Sequence, residues 1–140
     1  MSFVRDFSIV ILYNDAGKVF MQDRTSISKR GEHWGFFGGG LEGNETFEEA
    51  LIRETQEELS IDITGDYTYI GNTVFELESV GKQTTYMYIV KYNDLYKNNI
   101  KVCEGDGGKF FSLDQCSGLK MAPWGQIGIE ILKEYFSRNK

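Results

Sequence analysis

The stretch from Gly38 to Ile61, GGGLEGNETFEEALIRETQEELSI, constrains this chain more than any other. Thr46 followed three residues on by Glu49 is a capping-box signature, which predicts a helix running from Thr46 to Leu59. At about 100° per residue, Glu54, Glu57 and Glu58 share one face of that helix, and Phe47, Ala50 and Leu51, one turn back, fall in the same sector. Glu48, Glu49 and Gln56 point elsewhere. The three carboxylates therefore continue the face that an amphipathic helix buries. Partly buried carboxylates in one patch repel one another unless cations or protons intervene, and a hard-cation site built from oxygen ligands resolves the conflict. A run of glutamates is ordinarily a solvated helix face; the wheel position and the glycine turn in front favour the cation site. Gly38, Gly39 and Gly40 allow positive φ and close backbone approach, so a carbonyl of this turn is suited to bind metal and its amides to face phosphate.

Charge points the same way. The formal net charge of -6 opposes binding to a nucleic-acid polymer, which depends on releasing counterions from phosphates. It also repels free nucleotides, so a nucleotide enzyme with this balance needs divalent cations between its carboxylates and the phosphates. The 140 residues, 41% hydrophobic and 26% charged, suit one domain over residues 1–140 with an apolar core of its own. There is no apolar run of about 18 residues, so no membrane span is expected. The opening MSFVRDFSIVILYNDAG does not read as a signal peptide, because its apolar stretch is short, is preceded by Asp6 and enters a turn. Cys103 and Cys116 lack metal-ligand spacing and read as free thiols of a cytoplasmic protein.

Along the chain, the opening alternation breaks at Asn14-Asp15-Ala16-Gly17 and resumes at Val19 to Met21, which predicts a β-hairpin. A glycine-rich turn region is expected from Gly31 to Gly43; of Trp34, Phe36 and Phe37 within it, at least one belongs to the core, and His33 is a surface residue. Strands are predicted over Tyr67–Leu77 and Thr84–Tyr92, joined by Val80-Gly81-Lys82-Gln83, and over Lys109–Leu113 after the loop Glu104-Gly105-Asp106-Gly107-Gly108. A last helix starts near Pro123, with Ile127, Ile131, Leu132 and Tyr135 at helical spacing. The order ββ, α, several β, α implies a mixed sheet between helices, an α+β or α/β arrangement.

From Gly39 the sequence reads G-x5-E-x7-R-E-T-x-E-E-x-S-I, with Glu45, Arg53, Glu54, Glu57, Glu58 and Ile61 in place. This resembles the Nudix box, G-x5-E-x7-R-E-U-x-E-E-x-G-U, where U is a bulky aliphatic residue. The likeness covers 23 residues with every charged position present, and the order of elements resembles the Nudix α/β/α sandwich with a mixed β-sheet, an α/β fold. The resemblance implies that Glu54, Glu57 and Glu58, with the Gly39 carbonyl, bind Mg²⁺ or Mn²⁺. It implies that Arg53 orients the glutamates through ion pairs that include Glu45. Short MutT-like members add a glutamate from a Glu-Gly loop before an aromatic-x-Ser-Leu strand; here the strand is Phe110-Phe111-Ser112-Leu113 and the glutamate is Glu104, as a further metal ligand or the general base. Glu54, Glu57 and Glu104 all remain open as the base. Thr55 and Ser60 depart from the box: Thr55 is expected on the helix edge, and Ser60 at a helix end where glycine suits a left-handed backbone. Phe37 stands where proline often precedes the glycine pair, and Asn44, which tolerates left-handed φ, replaces a frequent glycine.

The resemblance implies a hydrolase that cleaves a phosphoanhydride bond of a nucleoside diphosphate derivative. Markers of the ADP-ribose, diadenosine polyphosphate, NADH and coenzyme A groups are absent, which leaves the short MutT-like group and a (d)NTP or modified (d)NTP as substrate. Met121-Ala122-Pro123-Trp124-Gly125 stands where animal members read an oxidised purine with Met-Trp-Pro-Asp-Asp, and lacks both acids. Trp124 is either a stacking platform for a base or a core aromatic beneath the last helix. Two other readings are a nucleotide-sugar hydrolase with the same metal chemistry and a catalytically silent nucleotide sensor; the intact set of box charges argues against the sensor. Monomer and homodimer are both open.

Overall fold

The computed structural model describes residues 5–77 and 81–139. In chain order the elements are β1 (Phe7–Tyr13), β2 (Val19–Asp23), β3 (Trp34–Gly35), β4 (Phe37–Gly40), α1 (Phe47–Leu59), β5 (Tyr67–Leu77), β6 (Gly81–Lys91), α2 (Asp94–Asn99), β7 (Gly108–Phe111), α3 (Leu113–Cys116) and α4 (Pro123–Arg138). The seven strands form one mixed sheet in the order β3-β2-β1-β6-β5, with β4 also paired to β1 and β7 to β2.

The sheet is organised around β1. Its apolar run is buried on both faces, as expected of a strand paired in parallel inside an α/β sheet. Ile9 and Ile11 point into a cluster with Met87 and Ile89 of β6, Cys116 of α3, and Ile129 and Leu132 of α4. Val10 and Leu12 point the other way, into a cluster with Val90 of β6, Leu51 and Leu59 of α1, and Tyr96 of α2. Two helical layers thus cover the two faces, and the mixed-sheet α/β architecture expected from the sequence is present. The opening strand is not the half-exposed strand that its alternation suggested: even Ser8 is fully buried, its hydroxyl donating to the Phe47 carbonyl at 2.6 Å.

Several boundaries differ from the sequence reading for identifiable reasons. The predicted first hairpin is one residue pair long, Tyr13 opposite Val19. Beyond it β2 leaves β1 to pair with β3 and β7, and the vacated edge of β1 is taken by β4, Phe7 opposite Gly40 through Val10 opposite Phe37. The glycine run read as a turn is therefore largely a strand, and of its three glycines only Gly38 has positive φ, 146°. The link predicted over residues 80–83 begins outside the described residues; from Gly81 onward it is already strand β6. The strand expected over Lys109–Leu113 ends at Phe111, because Ser112 and Gln115 form a capping box that starts α3. Helix α2, capped by Asn93, was not anticipated. In α4 the buried face runs through Gly125, Gly128, Ile129 and Leu132, whereas Ile127 is 46% exposed. Met121 and Phe36 press on the two glycines, where an added Cβ would lie 2.6 and 2.8 Å from their side chains, so these two contact positions carry no apolar signature in the sequence.

Candidate active site

Helix α1 begins as the sequence predicts. Thr46 accepts from the Glu49 amide, and Glu49 accepts from that of Thr46, which fixes the entry of the chain and the rotation of the helix. That rotation lays its C-terminal half against β4. The Gly38 amide donates to Glu58 Oε2 at 3.1 Å, and a Cβ on Gly39 would lie 2.3–2.5 Å from the Glu54 carboxyl group. Glycine is thus required where the strand backbone meets the acidic helix face.

The three box glutamates are not equally buried, contrary to the reading of three partly buried carboxylates. Glu58 is 4% exposed and the Glu54 side chain 15%, whereas that of Glu57 is 59% exposed. Glu58 Oε1 is buried without a hydrogen-bond partner. Burial pushes the Glu58 carboxyl up to about 8, assisted by the negative charges of Glu104 and Glu54 and opposed by the Gly38 amide and the charge of Arg24. Thr55, expected at the helix edge, is 1% exposed; its hydroxyl is satisfied by the Leu51 carbonyl at 2.7 Å, which makes the buried position tolerable.

Arg53 gathers the other side of the site. Its guanidinium donates to both oxygens of Glu45 at 2.7 and 2.9 Å, to Glu54 at 2.9 Å, to Glu57 at 3.2 Å and to the Gly40 carbonyl at 3.1 Å. The Arg53 hydrogen bonds, with one from the Glu42 amide, hold the Glu45 carboxyl at about 2. The Glu45 contact is likewise the largest cause holding the Arg53 guanidinium above its ordinary value.

Helix α1 ends at Ser60, the one non-glycine with positive φ among the described residues (φ 61°, ψ 29°), as expected for a position that favours glycine. Asn44 does not adopt that conformation; Gly43 beside it does, with φ 52°. Beyond α2 the chain returns along the end of α1, the Lys101 amide donating to the Leu59 carbonyl and the Cys103 amide to that of Glu58. Glu104 is thereby brought beside Glu58. Among the described residues, no three acidic, histidine or cysteine side chains gather closely enough to enclose an ion. The charges of Glu104 and Glu54 nonetheless act on Glu58, while Glu57 is exposed and bonded to Arg53.

On the other side of β4 lies a cavity of about 280 Å³, near the lower end of small-molecule sites, roughly 300–1,000 Å³. Phe36, Met87 and Met121 give it apolar walls, and Arg24 and Gly38 line it at the end next to the carboxylates. Trp124 is a half-buried part of this wall, with the Arg30 guanidinium 5.1 Å from its ring centroid and Phe75 edge-on at 6.1 Å. Phe37 is the core member of its aromatic trio, at 1% exposure, and His33 is exposed. Sequence reasoning missed Gln22, Arg24 and Glu32, which join the cavity to the Glu104 loop. Their bonds to one another are local, but the bond from the Gln22 amide to the Glu104 carbonyl spans 82 residues, and the local sequence carries no signal for it. Burial pushes the Glu32 carboxyl up, but bonds from the Arg30 amide, the Ser28 hydroxyl and Arg24 outweigh it and hold Glu32 at about 2.

A mixed sheet between two helical layers, with a glycine strand seating a carboxylate-rich helix beside a cavity, defines an α/β domain. The NUDIX domain profile matches residues 3–134, and the chain belongs to that family. It is 46% identical to an 8-oxo-dGTP diphosphatase of Proteus vulgaris over 54 residues, 39% of this chain and 48% of the relative. It is 40% identical to a CTP pyrophosphohydrolase of Escherichia coli (strain K12) over 52 residues, 36% of this chain and 38% of the relative. These matches thus span about half of the first relative's length and less than two-fifths of the second's. The solved structure of a MutT protein from Methanosarcina mazei Go1 superposes with a TM-score of 0.75 over 99% of this chain and 97% of that one, at 20% identity, a likeness of fold. No helix among the described residues is long and apolar enough to cross a membrane.

Proposed function

We propose that this chain is a divalent-cation-dependent nucleotide pyrophosphohydrolase, which splits a (d)NTP or modified (d)NTP into the monophosphate and pyrophosphate. The observation that carries the reading is Glu58: a buried carboxylate with one oxygen unpartnered, facing two more carboxylates and seated on a glycine strand that also lines a cavity. A buried acid left in this condition is costly, and an all-oxygen donor set fits a hard cation. Glu54, Glu57, Glu58 and Glu104, with the Gly39 carbonyl, would hold Mg²⁺ or Mn²⁺. Bound there, the metal would supply charge neutralisation at the pyrophosphate and lower the pKa of the attacking water.

The residues divide the remaining work. Arg53 keeps Glu45, Glu54 and Glu57 in a fixed arrangement. A carboxylate drawn from Glu54, Glu57 and Glu104 takes the proton of the attacking water as the new P–O bond forms and the anhydride P–O bond breaks. Such placed proton transfer contributes about 10²–10⁴-fold. The base enters the cavity against Phe36, Met87 and Trp124, and Arg30 over the Trp124 ring narrows the slot. The names of the two relatives support a nucleoside triphosphate as substrate. Free Cys103 and Cys116 suit the reducing cytoplasm as its compartment.

The test is a panel of ordinary and oxidised (d)NTPs, nucleotide sugars and dinucleotides, each incubated with Mg²⁺, Mn²⁺ or EDTA while phosphate and pyrophosphate release are followed. Metal-dependent pyrophosphate release from (d)NTPs is expected. Turnover confined to nucleotide sugars overturns the substrate class, and no turnover with either metal overturns the enzymatic reading.

A further inference from the structure

We infer that Gln22, with Arg24, is a positioning residue for Glu104, an inference that rests on the proposed role of Glu104 at the metal edge. Gln22 is fully buried on β2, between the apolar Met21 and the end of the strand. Its amide Nε2 donates to the Glu104 carbonyl at 3.1 Å, across 82 residues of sequence, and its Oε1 accepts from Arg24 Nη1 at 2.6 Å. An amide with its donor and acceptor both engaged has one orientation only, and leaving either group unpaired in the interior is costly. Arg24 is fixed in turn: its Nε donates to Glu32 at 3.3 Å, its Nη1 lies 3.9 Å from Glu104 Oε1, and its Cδ would lie 2.6 Å from a Cβ on Gly35.

The fold does not need this link to hold the loop. On one side the Cys103 amide is bonded to the Glu58 carbonyl. On the other, the Asp23 amide donates to the Gly107 carbonyl, the Asp106 amide donates to the Asp23 carbonyl, and the Asp106 carboxylate accepts from the Ser26 amide and hydroxyl. What Gln22 adds is control of the residue between those anchors, Glu104 itself. The chain passes so close there that a Cβ on Gly105 (φ 80°) would lie 2.5 Å from the Asp23 carbonyl and 3.3 Å from the Gln22 amide. A buried polar side chain at a strand position that packing alone would fill with methionine or leucine is thus accounted for by the carboxylate it aims. Partners that orient a metal-binding or catalytic group contribute about 10–100-fold in affinity or activity.

The test compares the parent with Gln22→Met, Gly105→Ala, Glu104→Gln and the double variant Gln22→Met/Glu104→Gln. Each is characterised by Mn²⁺ titration without substrate and by kcat and KM with the best substrate of the panel. Gln22→Met is expected to weaken Mn²⁺ binding and lower kcat by about 10-fold or more with KM nearly unchanged, and the double variant to be no worse than Glu104→Gln alone. Gly105→Ala, whose Cβ presses on the Asp23 carbonyl and the Gln22 amide and so disturbs the same link while leaving Gln22 in place, is expected to reproduce the kcat loss, and it carries the test if Gln22→Met does not fold. Parent-like Mn²⁺ affinity and kcat in the folded variants overturn the inference, and so do losses that multiply in the double variant. Should the parent turn nothing over, the enzymatic reading fails separately, and the Mn²⁺ titration still decides whether Gln22 aims Glu104.

Discussion

Glu58→Gln removes a buried ionisable group whose contribution can be worked out. The carboxyl is 4% exposed and is pushed from 4.5 to about 8, first by burial and then by the charges of Glu104 and Glu54. Between those two values the unfolded chain has released this proton and the folded chain still holds it. Rising pH therefore favours the unfolded state: the contribution of Glu58 to stability is retained at low pH and lost on approaching pH 8. Inside the window the slope is about 1.36 kcal/mol per pH unit, so from about pH 5.5 to 7.0 the parent loses about 2 kcal/mol through this group alone. Glutamine keeps an acceptor for the Gly38 amide and does not titrate, so the parent-minus-variant difference isolates Glu58 from every other acid. For a chain of this size about 2 kcal/mol moves Tm by roughly 4–8 °C. Urea unfolding of both proteins in EDTA at the two pH values measures the difference directly. Added Mg²⁺ at pH 7 should then restore stability in the parent and much less in the variant, as ligand linkage requires. A parent-minus-variant difference that stays flat with pH would refute the burial argument, and equal stabilisation of both proteins by Mg²⁺ would remove Glu58 from the metal site.

Glu57→Gln alters an exposed side chain, so urea stability should stay within about 0.5 kcal/mol while metal-dependent kcat/KM falls at least about 100-fold; full activity would exclude Glu57 as ligand and as base. Ser60→Gly relieves a left-handed non-glycine backbone and should raise urea stability by about 1 kcal/mol. No gain would mean that the serine contact with Cys103 Sγ at 3.6 Å offsets the strain. Gly39→Ala drives a Cβ into the Glu54 carboxyl group and should cost about 100-fold in kcat/KM by displacing it; parent-like kinetics would show that the position of Glu54 against β4 is immaterial.

The parts of the site that were legible in the sequence are those set by short-range geometry. The Thr46–Glu49 capping box fixed the start of α1, helical spacing put Glu54 and Glu58 toward the sheet, and the αL position of Ser60 follows from where that helix stops. The graded burial of the three glutamates was not legible, because it depends on how far β4 extends over the helix. Gly38 covers Glu58, Gly39 meets Glu54, and Glu57 is left 59% exposed beside Arg53. The strand itself escaped notice because its evidence is in its partner: three glycines carry no strand signal until Ile9, Ser8 and Phe7 pair with them. The same holds for α4, whose contact face passes through Gly125 and Gly128. Gln22 and Arg24 are the extreme case, since Glu104, whose carbonyl the one holds and whose carboxylate the other approaches, is 82 and 80 residues away in the sequence. Residue type and spacing name the candidate ligands. Which of them is buried with a carboxyl oxygen left without a partner, the condition that makes a cation site favourable, is decided only when distant backbone is laid across them.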